Sequence, residues 1–222
     1  MNQAIVRNTI LSKLSKAPQG ELPERPELLP FPEMSMTSEE LVETFTKNVA
    51  LHTGVVHRVK SIVELLEKLK TVLVDEGVKE IALSDDELVS SVGLEALHGN
   101  SGLSVVKTSD FKDREDYKDY LFTKADAGIT GADFAVAESG TIVIAHDKNN
   151  ARLVSLAPAL HIAVVPIETL VPVYDMVVED IYNESKPSQV TFITGPSMTA
   201  DIQATPFKGM HGPKRLIIFL LG

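Results

Sequence analysis

The run Asp126–Leu160, DAGITGADFAVAESGTIVIAHDKNNARLVSLAPAL, is the densest stretch of special residues in the chain. Gly128 and Gly131 punctuate its first half, where a residue without Cβ can take φ > 0 or let another backbone come close. Phe134–Glu138 and Thr141–Ala145 are β-rich and flank Ser139-Gly140, which predicts a hairpin with Glu138 at a strand end beside the turn. Arg152 follows the polar loop His146–Asn150. A carboxylate and a guanidinium on neighbouring loops can bind or activate an anionic substrate. They can equally pair with each other or with backbone, as structural ions often do.

Downstream, His161–Pro166 is apolar and β-branched and reads as a buried strand. Leu170–Tyr182 reads as a helix with Pro172 in its first turn, and Val190–Thr194 as another buried strand. Gly195 through Asp201 reads as a glycine turn entering a helix. The free N–H groups there would make an anion site, with Ser197 or Thr199 adding a hydroxyl; the same residues also suit a plain N-cap. Gly209–Arg215 leads into a final strand, Leu216–Leu221, and a loop entering a central strand often lines the crevice of an α/β sheet.

Upstream, residues 2–16 suit a short amphipathic helix through Ala4, Ile5, Ile10, Leu11 and Leu14, able to cap the domain or dock on a partner. Residues 17–36 hold five prolines among charges and read as an extended linker. Ser38, followed by Glu39 and Glu40, predicts an N-cap for a helix through about Ala50. A strand at Val55–Val59, a helix from Ser61 to Val74, a strand at Glu80–Leu83, a short helix near Leu94 and a strand at Leu103–Lys107 follow. Asp110–Lys124 reads as a helix or lid with a solvated face. Strands alternating with helices predict an α/β fold: an open, mainly parallel sheet with helices on both faces. The organisation expected is a helix and Pro-rich linker over 1–36, then one globular domain over 37–222.

Composition excludes several functions. The charge is −10, from 21 Lys+Arg against 31 Asp+Glu, and no basic run with interleaved aromatics tracks a phosphate backbone, so nucleic acid is not an expected partner. There is no cysteine, which removes disulfides, thiol nucleophiles and thiolate-held zinc or iron–sulfur clusters. Redox chemistry would need another chain to hold the cluster. No apolar run approaches the roughly 18 residues of a membrane span, and no signal-type h-region opens the chain; a soluble cytoplasmic protein is the expectation. The six histidines are scattered, and none forms a helical metal-ligand pair, so no metal site is expected. His211 is the best acid/base candidate among them, since the ordinary imidazole pKa lies near physiological pH; the alternative is a cap on a backbone carbonyl.

GITGADFAVAESGT at 128–141, the spacing of Arg152, Ser155 and Pro158, ITGPSMTADI at 193–202 and HGPKRL at 211–216 together resemble the LUD-domain family in its lactate-utilisation, LutC-like branch, over roughly 38–221. The resemblance implies a NagB/RpiA/CoA-transferase-like fold and a role beside LutA-like and LutB-like subunits, which carry the iron–sulfur clusters, in oxidising L-lactate to pyruvate. No cofactor is then expected in this chain, while a small anionic ligand is, and self-association stays open. By position the motif falls on Gly128, Thr130, Gly131, Ala132, Asp133, Glu138, Gly140, Thr141, Arg152, Gly195, Pro196, Ser197, Thr199, Asp201, His211, Gly212 and Pro213. Glu138, Arg152 and His211 are the catalytic candidates; Gly128, Thr130, Gly131, Asp133, Gly195, Ser197, Thr199 and Asp201 are the ligand candidates. Met198 and Gln203 stand where the family often has a basic residue and Glu. Two alternatives accompany this reading. AESG resembles the Glu-X-Gly turn of CoA-transferases, which would make a stand-alone enzyme on a small carboxylate or acyl-CoA ester. The chain could also be an assembly module without catalysis.

Overall fold

The computed structural model describes residues 3–16, 36–99, 102–147, 150–184, 187–200, 206–209 and 211–222. The chain divides into two compact units, residues 1–34 and 35–222. In the first, α1 (Gln3–Ser15) leaves Val6, Ile10, Leu11 and Leu14 exposed. Most of the predicted linker, 17–35, lies outside the described residues.

The second unit opens with α2 (Ser38–Leu51). Its N-cap is Thr37 rather than Ser38: Thr37 Oγ1 accepts from Glu40 N at 3.3 Å, and the Glu40 carboxylate accepts from Thr37 N at 2.8 Å. This reciprocal box satisfies two amides that a helix start leaves unpaired. β1 (Val55–Val59) and α3 (Ile62–Asp75) follow, with Ser61 capping α3 through Glu64 N. Then come β2 (Glu80–Leu83), α4 (Glu87–Val92) capped by Asp86, a 3-10 turn at Leu94–Leu97 and β3 (Ser104–Val106). The charged segment is α5 (Arg114–Thr123), capped by Asp113.

β4 (Ala127–Gly131), β5 (Phe134–Val136) and β6 (Thr141–His146) span the decisive stretch, and β5 and β6 pair antiparallel as the predicted hairpin. After α6 (Leu153–Leu156) and β7 (Leu160–Pro166), the expected helix from Leu170 begins later. Leu170–Val171 form β8, paired with β5, and α7 (Tyr174–Glu184) starts after Pro172. Proline at 172 fits this arrangement because the residue preceding it is pushed toward extended backbone. β9 (Gln189–Ile193) is a half-exposed edge strand, not a buried one. The expected helix after Gly195 is absent: Met198–Ala200 form β10, antiparallel to β11 (Pro206–Lys208). β12 (Arg215–Leu221) ends the fold.

Six strands form one parallel sheet in the order β1-β12-β7-β4-β2-β3, and β8-β5-β6-β9 form a second. Alternation along the central strands splits the core. Ile217 and Phe219 of β12 and Ile162 and Val164 of β7 pack with Leu65, Leu69 and Leu73 of α3. Leu216, Ile218, Leu220, Ala163 and Val165 face the other way, onto Phe45 and Val49 of α2 and Ile142 and Ile144 of β6. Tyr117 and Leu121 of α5 and Val154 of α6 pack beside Ala82 of β2; α7 covers the outer face of the second sheet through Val177 and Ile181. Each fully buried aliphatic side chain contributes about 1.5–3 kcal/mol. The result is an α/β fold with helices on both faces of a parallel sheet.

Candidate functional site

The motif residues gather around α6 and the ends of β4, β7 and β9, but not in one pocket. Several act on the fold itself. A Cβ on Gly128 would lie 1.9 Å from Val154 O, so this glycine lets the main chain of α6 rest on β4. Gly131 N donates to Asp86 Oδ2 at 3.0 Å, while Asp86 Oδ1 accepts from Val89 N at 2.8 Å and the same carboxylate takes the Ser84 hydroxyl. Asp86 thus ties the ends of β2 and β4 together. Asp133 Oδ2 accepts from Ala145 N at 2.7 Å and fastens the hairpin. Asp86, Gly131, Asp133 and Asn150 line a cleft of about 420 Å³ between the carboxyl ends of β2 and β4, the place where strand order reverses and where open α/β sheets commonly take ligands.

Glu138 and Arg152 are separated by β6. Glu138 Oε1 accepts from Tyr174 N at 3.0 Å, at the start of α7, and its own N–H donates to Pro172 O. At that end, Thr141 Oγ1 lies 2.7 Å from Tyr174 Oη, 2.6 Å from Thr194 Oγ1 and 2.8 Å from Ser139 Oγ. Burial would raise the Tyr174 pKa, but these hydroxyls hold it below its ordinary value. Arg152 bonds the Gln189 side chain, opposite His146 at the far end of β6. Five strand steps, about 17 Å, separate Thr141 from His146 along β6. Arg152 lines a different cleft, of about 870 Å³, with Arg114, Lys118, Tyr117 and His146. His146 is buried with both nitrogens engaged: Asn150 O lies 3.1 Å from Nδ1 and Thr191 Oγ1 2.8 Å from Nε2. A carbonyl only accepts and burial keeps the ring neutral, so Nδ1 carries the proton and Thr191 donates.

Gly195, Ser197 and His211 do converge, on a third cleft of about 630 Å³. Gly195 turns the chain after β9 at φ +98°, with no room for a Cβ beside His52 O at 2.7 Å. Ser197 stitches this turn to the loop before β12. Its Oγ donates to His211 O at 2.5 Å, its N–H to Pro213 O at 2.8 Å, and its carbonyl accepts from Gly209 N at 2.8 Å. Ser197 therefore uses its groups on loop geometry. It does not stand at a helix N-terminus, because β10 follows. Thr199 sits on β10 opposite Phe207, and Asp201 lies outside the described residues. The His211 side chain is exposed at the rim.

The same cleft is lined by His161, the second residue of β7. His161 is 1% exposed. Its Nε2 lies 2.9 Å from Thr130 Oγ1 on the adjacent strand, and its Nδ1 has no protein partner. Burial pushes its pKa from 6.5 down to about 3, so the ring is neutral at physiological pH. Thr130 is thus a ligand candidate at second remove, through a histidine that sequence reading left among scattered ones. The available signal was a lone polar residue opening an otherwise apolar buried strand.

Among the described residues, no group of three or more His, Asp or Glu could hold a metal ion, and no helix is long and apolar enough to cross a membrane. Comparison with known proteins decides the family. The LUD-domain profile matches residues 42–221. The chain belongs to the LUD-domain family. Lactate utilization protein C 1 of Bacillus mycoides is 35% identical over 187 residues, covering 81% of this chain and 78% of that protein. Lactate utilization protein C of Oceanobacillus iheyensis is 30% identical over 220 residues, covering 93% and 92%. A DUF162 family protein of Deinococcus radiodurans, solved by crystallography, superposes with a TM-score of 0.59 at 22% identity, covering 84% of this LUD-domain chain and 99% of its own. That likeness supports the α/β fold.

Proposed function

We propose that this LUD-domain chain is a non-redox cytoplasmic subunit of a system that oxidises L-lactate to pyruvate together with LutA-like and LutB-like iron–sulfur proteins. The observation that carries the reading is the pairing of relatives named lactate utilization protein C, matched over most of both chains, with a sequence of 222 residues that contains no cysteine. A chain without thiolates has no ordinary means of holding the clusters such an oxidation uses. Its contribution is then to bind and place small molecules. A carboxylate such as L-lactate or pyruvate suits the 870 Å³ cleft, where Arg152, Arg114 and Lys118 outnumber Asp113 and Asp147, and guanidinium groups bind carboxylates through paired N–H donors.

Deletion of the gene tests the reading. Growth on L-lactate is expected to fail while growth on glucose continues, and the Arg152→Gln chain is expected to restore lactate growth poorly. Unimpaired lactate growth of the deletion strain would remove the proposal.

A further inference from the structure

The 630 Å³ cleft has a chemistry different from that of the Arg152 cleft. Among the described residues that line it, none is Lys, Arg, Asp or Glu. An ionised carboxylate or phosphate taken into such a site would lose its water without gaining a counter-charge, which is strongly unfavourable. Large apolar side chains along this cleft are left open to solvent: Phe122 at 60% and Leu156 at 37% exposed, with Phe192, whose ring rests on Tyr174, at 41%. Exposed apolar residues grouped at a concave site mark a place that something apolar covers.

The cleft also contains one unmet polar demand. His161 Nδ1 is buried with no protein partner among the described residues, and such a ring nitrogen is costly to bury unless a water or a ligand completes it. The Thr130 hydroxyl can donate to Nε2 or accept from it. In the first case Nδ1 carries a proton and seeks a carbonyl oxygen; in the second it presents a lone pair and seeks a hydroxyl. One site therefore accommodates both forms of a group that alternates between C=O and C–OH. A three-carbon acid would bring a charge that no described lining residue answers. Clefts of about 300–1,000 Å³ are those that enclose ring-bearing ligands.

We infer that this cleft binds a neutral planar ring bearing a carbonyl or phenolic hydroxyl, of the quinone and hydroquinone class, with that oxygen on His161 Nδ1 and the ring against Phe122. This goes beyond the lactate reading and does not depend on it, because it concerns binding by the isolated full chain.

The test is titration of the purified chain, labelled with 15N-histidine, with 2-methyl-1,4-naphthoquinone. Binding is followed by calorimetry and the imidazole resonances by NMR. The absence of cysteine prevents thiol addition from imitating binding. The expected result is saturable one-to-one binding, with movement of the His161 Nδ1 resonance above that of the other five histidines and no displacement by excess L-lactate. His161→Phe should weaken binding at least tenfold. Phe122→Ala, at an exposed position that leaves the core untouched, should weaken it about threefold or more, and it keeps the test decisive if the buried variant fails to fold. Absence of saturable binding, as expected if a partner protein rather than a small molecule covers this mouth, would overturn the inference. So would an unmoved His161 resonance, displacement by L-lactate, or unchanged affinity in the variants. Since growth on L-lactate is measured separately, failure here and failure of the subunit reading are distinguishable.

Discussion

Thr130→Val removes one hydroxyl from the centre of the domain. The two side chains have nearly the same shape and both favour strands, so β4 is retained. Thr130 Oγ1 is the protein partner of His161 Nε2, at 2.9 Å, and His161 Nδ1 already lacks one. The substitution leaves a neutral imidazole buried at 1% exposure with both nitrogens unmet. Stranding a buried polar atom costs about 1–3 kcal/mol. For a domain of this size each kcal/mol moves Tm by about 2–4 °C, so a loss of about 2 kcal/mol lowers Tm by about 4–8 °C. The assay is chemical and thermal unfolding of four chains: parent, Thr130→Val, His161→Phe and the double variant. Replacing both partners by apolar groups removes the unmet demand, so the double variant should be more stable than the sum of the single losses implies, with a coupling of about 1–2 kcal/mol. A Thr130→Val chain within about 0.5 kcal/mol of the parent, or strictly additive losses, would refute the pairing as an energetic unit.

Three further outcomes follow from the same structure. The folded His161 pKa of about 3 lies below its ordinary 6.5, so between these values the unfolded chain binds more protons than the folded one. The neutral-ring contribution is complete above pH 6.5 and is lost as pH falls toward 3, on the order of 5 kcal/mol in all; unfolding measured across this window should show that slope, and His161→Phe should flatten it. Gly128→Ala drives a methyl group into Val154 O, 1.9 Å from the ideal Cβ position, and should cost about 3 kcal/mol as α6 is lifted from β4, measured by denaturant midpoint; an unchanged midpoint would contradict the packing. Glu138→Gln keeps an oxygen able to accept from Tyr174 N and should leave both folding and growth on L-lactate intact, whereas a folded variant that cannot support growth would assign chemistry to the carboxylate.

The fold was largely legible because its signals are local. The apolar face of α3, the Ser61 cap and the Phe134–Ala145 hairpin each lie within a few residues, and the element bounds came close to those observed. Where reading failed, a distant partner decided. Thr37 displaced Ser38 as N-cap through a box completed three residues on. Leu170–Val171 became strand because β5 offers an edge to pair with, and Met198 began a strand because Lys208 lies opposite. The candidate site was legible in part. Gly195, Ser197 and His211 do meet, although as a stitched pair of loops and not as an anion-binding helix start. Whether Glu138 and Arg152 meet was not legible in the sequence, because loops that are neighbours along the chain fall at opposite ends of β6. His161 went unnoticed since its environment is built by β4, β7 and the loop before β12, which no local pattern joins.

The most direct test of the central claim is recovery of the tagged full chain from cells grown on L-lactate, with the co-purifying proteins identified and the eluate assayed for lactate oxidation. The account predicts cysteine-rich iron–sulfur partners in defined proportion and lactate-dependent reduction of an artificial electron acceptor, both lost when the chain is omitted. A chain recovered alone from cells that still oxidise L-lactate, or an active iron–sulfur assembly that lacks it, would contradict the account.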